Sequence, residues 1–183
     1  MKHLGTVTLE TERLILRRIT ADDSQAMFNN WASDEEVAKY VTWYPQENIE
    51  TTKKIINSWV EQYKSDDTYR WAITLKNNDE PIGMIDVVVM DYKETAQIGY
   101  CLSRSYWGQG IMTEAFKRVI AFLFDEVGVH KIEARHIKEN VGSGMVMKKC
   151  GLKYEGTFRD NENVKGELRD MCIYSLFKSE YKN

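Results

Sequence analysis

Apolar positions near the start of the chain first alternate and then recur at helical spacing. Leu14 and Leu16 share one face of a stretch reaching Ile19, which predicts a short strand. Thr20 followed by Asp23 has the form of a helix N-cap, and Ala26, Met27, Asn30 and Trp31 continue at helical spacing. Ser33 with Glu36 repeats the capping-box spacing ahead of Val37, Tyr40 and Val41. Thr51 or Thr52 then caps a helix whose stripe is Ile55, Ile56, Trp59, Val60 and Tyr63. From Tyr69 the period changes to two, through Trp71, Ile73 and Leu75. Asn77-Asn78-Asp79 turns into Ile82 to Met90, and Asp91 to Glu94 turns into Ala96 to Leu102. Consecutive strands joined by short polar turns predict an antiparallel meander.

The pattern becomes helical again at Met112, Ala115, Phe116, Val119, Ile120 and Leu123. Lys131 to Ile137 reads as a strand, and Asn140 to Cys150 as a helix stopped by Gly151. Leu152 to Phe158 and Leu168 to Leu176 alternate as a final pair, with a polar loop, Arg159 to Glu167, between them. No repeat, low-complexity tract or linker interrupts this order. The expectation is a single α+β domain spanning residues 1–183, with a mixed, mostly antiparallel central sheet flanked by helices.

Composition narrows the function classes. Lys and Arg number 25 against 28 Asp and Glu, a net charge of −3, so no basic field favours nucleic acid. Cys101, Cys150 and Cys172 have the spacing of neither a zinc site nor a disulfide framework, and no metal is expected. The start has no signal-peptide apolar run, and no segment approaches the ~20 apolar residues of a membrane span. A cytoplasmic protein with no membrane partner is expected.

The candidate chemistry begins at Ser105-Tyr106-Trp107-Gly108-Gln109-Gly110-Ile111-Met112-Thr113-Glu114-Ala115. A two-glycine turn that opens directly into a helix exposes backbone N–H groups at the positive end of the helix dipole, which suits a phosphate. A plain tight turn fits the same residues. The dinucleotide fingerprint would need glycine where Thr113 stands, and no Lys-Ser or Lys-Thr follows Gly110 as in a P-loop. Asp86 is a carboxylate within an apolar strand, so it is either paired or functional; a raised pKa there suits a base. His136, at a strand end, is another candidate base.

The chain resembles the GNAT superfamily of acetyl-CoA-dependent N-acetyltransferases, and within it the RimJ/RimL-like branch. The resemblance is carried by Thr11-Glu12-Arg13-Leu14-Ile15-Leu16-Arg17, by Ile98-Gly99-Tyr100-Cys101-Leu102 followed by the glycine turn, and by Asn140-Val141-Gly142-Ser143 with Lys149-Cys150-Gly151-Leu152. Glu155-Gly156, Asp170 and Tyr174 resemble the branch's final strands. It implies a GNAT-like acyl-CoA N-acyltransferase fold, splayed between its fourth and fifth strands, which end at Leu102 and near His136. Acetyl-CoA is the implied cofactor. Its pyrophosphate would sit on the backbone of Gly108, Gln109, Gly110, Ile111, Met112 and Thr113, and its pantetheine arm against Cys101 and Leu102. The family's turn, Gln/Arg-x-x-Gly-x-Gly/Ala, here carries Trp107 first and Met112 last.

Asn140 reads as a helix N-cap, and the resemblance adds a contact to the pantetheine amide. Much of the superfamily places a tyrosine acid four residues before the position of Gly151, where this chain has Met147. The resembled branch implies Ser143 as the acid and Glu162 as the base, the latter among polar-loop carboxylates expected there in any case. The acceptor implied is an amine, foremost a protein N-terminus, since an α-amino group near ~8 is partly neutral at cell pH while a lysine near ~10.4 is not. A small-amine acetyltransferase and a non-catalytic acyl-CoA-binding module are the rival readings. Trp43-Tyr44-Pro45 either walls the acceptor pocket or covers the helix pair. Exposed edge strands leave a homodimer open.

Overall fold

The computed structural model describes residues 1–91 and 93–181. Two short strands open the sheet, β1 (Leu9–Glu10) and β2 (Leu14–Arg17), and alternation along β2 buries Leu14 and Leu16. Three helices follow: α1 (Ser24–Met27), continued by a wide turn through Ala32, α2 (Glu35–Ala38) and α3 (Ile49–Gln62). The change to period two gives β3 (Arg70–Leu75), β4 (Asn78–Met90) and β5 (Thr95–Leu102), an antiparallel meander as the pattern predicts. Next come α4 (Ile111–Phe122), β6 (Lys131–Ile137), α5 (Val141–Lys149), β7 (Lys153–Val164), β8 (Glu167–Phe177) and a last turn, α6 (Lys178–Tyr181).

The strands form one sheet in the order β1-β2-β3-β4-β5-β6-β8-β7. Among the described residues only β5 and β6 run parallel, as a pair joined by a crossover helix must. They pair from Thr95 opposite Lys131 to Ile98 opposite Ala134, after which β5 continues to Leu102 along β4 and β6 to Ile137 along β8, no longer paired with each other. This is the expected splay. The parted strands are fifth and sixth in chain order, because Leu9–Glu10 adds a strand too short to show a pattern.

Each face of the sheet buries a different cluster. Phe116, Val119 and Ile120 of α4, with Met147 of α5, pack on Trp71, Ile85, Ile98 and Ile132. On the other face Met27, Trp31, Val37 and Ile56 from α1 to α3 pack over Ala72. The gap between β5 and β6 therefore opens at a site bordered by helices from both layers.

Local capping differs from the pattern at several points. Asn48, not Thr51 or Thr52, caps α3, its side chain accepting from the Thr51 N–H at 3.1 Å. Asp34, not Ser33, caps α2, while the Ser33 hydroxyl donates back to the Phe28 carbonyl at 2.7 Å. Both are Asx caps, one residue later than Ser33 and one turn earlier than Thr51, where the carboxylate or amide oxygen reaches the free N–H groups. The stretch Arg159 to Glu167 is not a loop. It continues the β7–β8 hairpin past a bulge at Asp160 (φ 49°) to a turn at Lys165 and Gly166 (φ 56° and 89°), so Glu162 stands on a strand opposite Arg169. Polar composition reflects a hairpin whose outer face is solvated and whose inner face carries Glu162 into a cavity beside the buried Val164, rather than missing strand structure.

Candidate active site

Gly108 and Gly110 both adopt left-handed backbone, φ 74° and 77°, which a side-chain-bearing residue reaches only with strain. A Cβ on Gly108 would meet nothing within 4 Å, so the turn presents bare backbone to the gap. Gly110 caps α4, and the Glu114 N–H is the first to close a helical bond, to the Gly110 carbonyl at 3.0 Å. The preceding amides of Ile111, Met112 and Thr113 thus have no partner within the helix. The Gln109 side chain folds back to donate to the Ser105 carbonyl at 2.8 Å.

The connection between β1 and β2 braces this turn. Arg13 donates from Nε to Glu114 Oε2 at 2.6 Å and from a terminal nitrogen to the Gln109 carbonyl at 3.1 Å, and Thr11 donates to Glu114 Oε1 at 2.6 Å. Burial opposes ionisation of Glu114, but the Thr11 and Arg13 hydrogen bonds outweigh it and hold the carboxyl below its usual range. Arg13 and Glu114 both stand in the motifs of the resemblance, yet sequence reading assigned them no role. Replacing Arg13 with alanine is expected to weaken acetyl-CoA binding about three- to tenfold, measured by calorimetry, because the turn loses its outer clamp.

From the turn a cavity of about 540 Å³ runs along the gap, past Trp107, Met112 and Lys149, to Tyr100, Leu102, Asn140 and Ser143. Pairing fixes which amides face it. Ser103 donates to the Ile82 carbonyl at 2.8 Å, so in the antiparallel alternation Cys101 turns its backbone to Met84, while Tyr100 and Leu102 turn theirs to the open edge. The Leu102 carbonyl on that edge is taken by the Trp107 indole N–H at 2.8 Å, leaving its N–H for a ligand. Cys101 contributes a wall instead of an amide. Burial, with the nearby Asp86 carboxylate adding to it, pushes its thiol up to about 12.

A second cavity of about 380 Å³ opens on the other face of the sheet and shares Tyr40, Val41, Tyr100, Cys101, Asn140 and Ser143 with the first. Trp31, Trp43 and Trp59 wall it, while Asp86, Arg135 and Glu162 supply its charges. Trp43 also packs on the cluster under α1 to α3, so it both lines the cavity and covers the helices; Tyr44 is 65% exposed. Across the mouth, Lys165 at the hairpin turn donates to the Ala38 carbonyl at 2.6 Å and lies over the Tyr44 ring.

The predicted catalytic residues meet here. Asn140 is the N-cap of α5, its Oδ1 accepting from the Ser143 N–H at 3.2 Å. Ser143 Oγ lies 2.9 Å from the Tyr100 hydroxyl, at the junction of the two cavities. Glu162 pairs with Arg135 at 3.2 Å, with side chains 29% and 37% exposed. Asp86 is more deeply placed and pairs with Arg70 at 3.3 Å; burial raises its pKa, against the attraction of Arg70. Gly99 makes room for it, since a Cβ there would sit 3.1 Å from Asp86 Oδ1. His136 also lines the tryptophan-walled cavity, with its ring packed against α5. Its Nδ1–H donates to the Ile137 carbonyl at 2.7 Å, its buried Nε2 has no partner, and a Cβ on Gly144 would fall 2.6 Å from that atom. Burial holds the imidazole below its usual pKa.

Among the described residues no group of three or more His, Cys, Asp or Glu stands ready to hold a metal ion. None of their helices is long and apolar enough to cross a membrane.

Known proteins share this arrangement. Residues 13–153 match the acetyltransferase (GNAT) domain. The chain is 34% identical over 95% of its length to an uncharacterized N-acetyltransferase, p20, of Bacillus licheniformis, covering 98% of that protein. It is 23% identical to the ribosomal protein uS5-alanine N-acetyltransferase of Escherichia coli, over 93% of this chain and 90% of that one. A crystal structure of a GNAT-family acetyltransferase from Bacillus anthracis superposes with a TM-score of 0.84 at 25% identity, over 95% of this chain and all of that one (100%). With the parted parallel strands, the glycine turn and the domain match in agreement, this chain belongs to the GNAT family of acetyltransferases.

Proposed function

We propose that the protein transfers an acetyl group from acetyl-CoA to a primary amine, foremost the α-amino group of a protein N-terminus, by direct transfer in a ternary complex. The observation that carries this reading is the meeting of two cavities at Tyr100, Asn140 and Ser143, one leading to the glycine turn and the other walled by tryptophans and Glu162. The residues present suit acetyl-CoA. The unpartnered amides after Gly110 and the Lys149 cation fit a pyrophosphate, and the open-edge amide of Tyr100 fits an amide-bearing arm.

Acetyl-CoA supplies the acyl group as a thioester, with its sulfur as leaving group. The acceptor nitrogen forms a C–N bond as the C–S bond breaks. Glu162 takes the proton that the nitrogen loses, and Ser143 donates a hydrogen bond to the sulfur while solvent delivers the thiol proton. The Leu102 N–H is placed to stabilise the oxyanion. An α-amine needs only a modest base because part of it is neutral at cell pH. The likeness to the uS5-alanine enzyme supports a protein N-terminus and a place in the RimJ/RimL-like branch. One observation favours a small-amine acceptor instead: Lys165 fastens the hairpin to the end of α2 across the cavity mouth.

A thiol-release assay with acetyl-CoA separates these readings, using peptides that begin with Ala, Ser or Met beside polyamines and free amino acids. Release with peptides and none with polyamines is expected. Release with polyamines alone overturns the N-terminal acceptor, and no release with any amine despite CoA binding overturns catalysis.

A further inference from the structure

We infer that Tyr100 is a positioning residue that aims the Ser143 hydroxyl at the departing sulfur. The inference rests on the role given to Ser143 above and adds the group that makes a serine there effective.

Tyr100 reaches out from β5 where that strand has parted from β6, and its hydroxyl meets α5 across the gap. It lies 2.9 Å from Ser143 Oγ and 3.1 Å from the Ser143 carbonyl, with its ring packed on Phe116 at 5.6 Å. A serine in the first turn of a helix can occupy several staggered rotamers or bend back to a helix carbonyl. One bond to a fixed phenol selects a single rotamer. The Ser143 carbonyl can only accept, so the phenol proton points at this residue and is shared between its carbonyl at 3.1 Å and its nearer Oγ at 2.9 Å, which leaves the serine proton free to point into the cavities.

Two further observations agree. Burial raises the phenol's pKa well above its ordinary value, against the pull of the Ser143 bond, so Tyr100 stays protonated and serves as a donor, not a base. No residue from Val141 to Lys149 is a tyrosine, and Met147 is buried in the core. The phenol here comes from the strand across the gap and acts through the serine.

A double-mutant cycle tests this, with Tyr100→Phe keeping the ring that packs on Phe116. Tyr100→Phe is expected to lower kcat about five- to tenfold while the affinity for acetyl-CoA and the thermal midpoint stay near wild type. Tyr100→Phe/Ser143→Ala should be no slower than Ser143→Ala alone, because the tyrosine acts only through the serine. A readout without turnover accompanies it. The gain in CoA affinity between about pH 7 and about pH 9, where a free thiol ionises, should shrink equally in both single variants and their double. Multiplicative losses in the double variant, or wild-type turnover in Tyr100→Phe beside a slow Ser143→Ala, overturn the inference. Wild-type turnover in Ser143→Ala overturns the serine's role itself, a distinct result.

Discussion

Replacing Glu162 with glutamine is expected to lower kcat about a hundredfold or more and to leave acetyl-CoA affinity within about twofold. Glutamine keeps the length of the side chain and an oxygen for Arg135, so the wall of the acceptor cavity survives while the proton acceptor is lost. Glu162 lines only the tryptophan-walled cavity and not the one that runs from the glycine turn, which is why cofactor binding should not follow turnover. Stopped-flow or steady-state thiol release gives kcat, and calorimetry gives the affinity. Asp86→Asn is the matching control. Asp86 shares the cavity and burial raises its pKa, but Arg70 and the sheet hold it beneath Gly99. Wild-type turnover in Glu162→Gln beside a large loss in Asp86→Asn would move the base from the hairpin to the sheet floor.

Gly144→Val is expected to destabilise the fold by about 2–3 kcal/mol, read from urea or thermal unfolding. A Cβ at this position would fall 2.6 Å from His136 Nε2 and 3.1 Å from Cε1. The ring has little freedom to yield. Its other nitrogen is bonded to the Ile137 carbonyl at 2.7 Å, and its face stacks on Tyr174 with centroids 5.6 Å apart. Valine adds the helix cost of a β-branched side chain to this overlap. In a His136→Ala background the extra cost of Gly144→Val should largely vanish, since the space the ring held becomes free. An undiminished cost in that background would mean that the overlap with His136 is not what destabilises. The pair sits beside Ser143, so the acetyl-CoA affinity of the variants also reports whether α5 keeps its place.

Elements were readable where one physical signal dominates. Alternation located β3 to β6 within a residue or a few, and the stripe of Met112, Phe116, Val119 and Ile120 placed α4 against the sheet, because burial of one face writes its period into the chain. Caps were less readable. Asn48 and Thr51 both cap helices well, and only the path of the chain into α3 chooses between them. Glu162 reads as a loop residue because a bulged hairpin with one solvated face and a polar cavity wall has the composition of a loop. Arg13 and Glu114 lie 101 residues apart, and no local pattern links them.

The sequence by itself determined the order of helices and strands, the glycine turn at a helix start, and the residue types available for chemistry. These depend on short-range physics: period, capping and the freedom of glycine at positive φ. Tertiary structure decided that β5 and β6 part after Ile98 and Ala134 and that Tyr100 crosses to Ser143. It also decided that Glu162, Ser143 and His136 line one cavity, with the His136 ring against Gly144. Those choices depend on which distant segments pack together, and packing energy is spread over many contacts that no single stretch of the chain records.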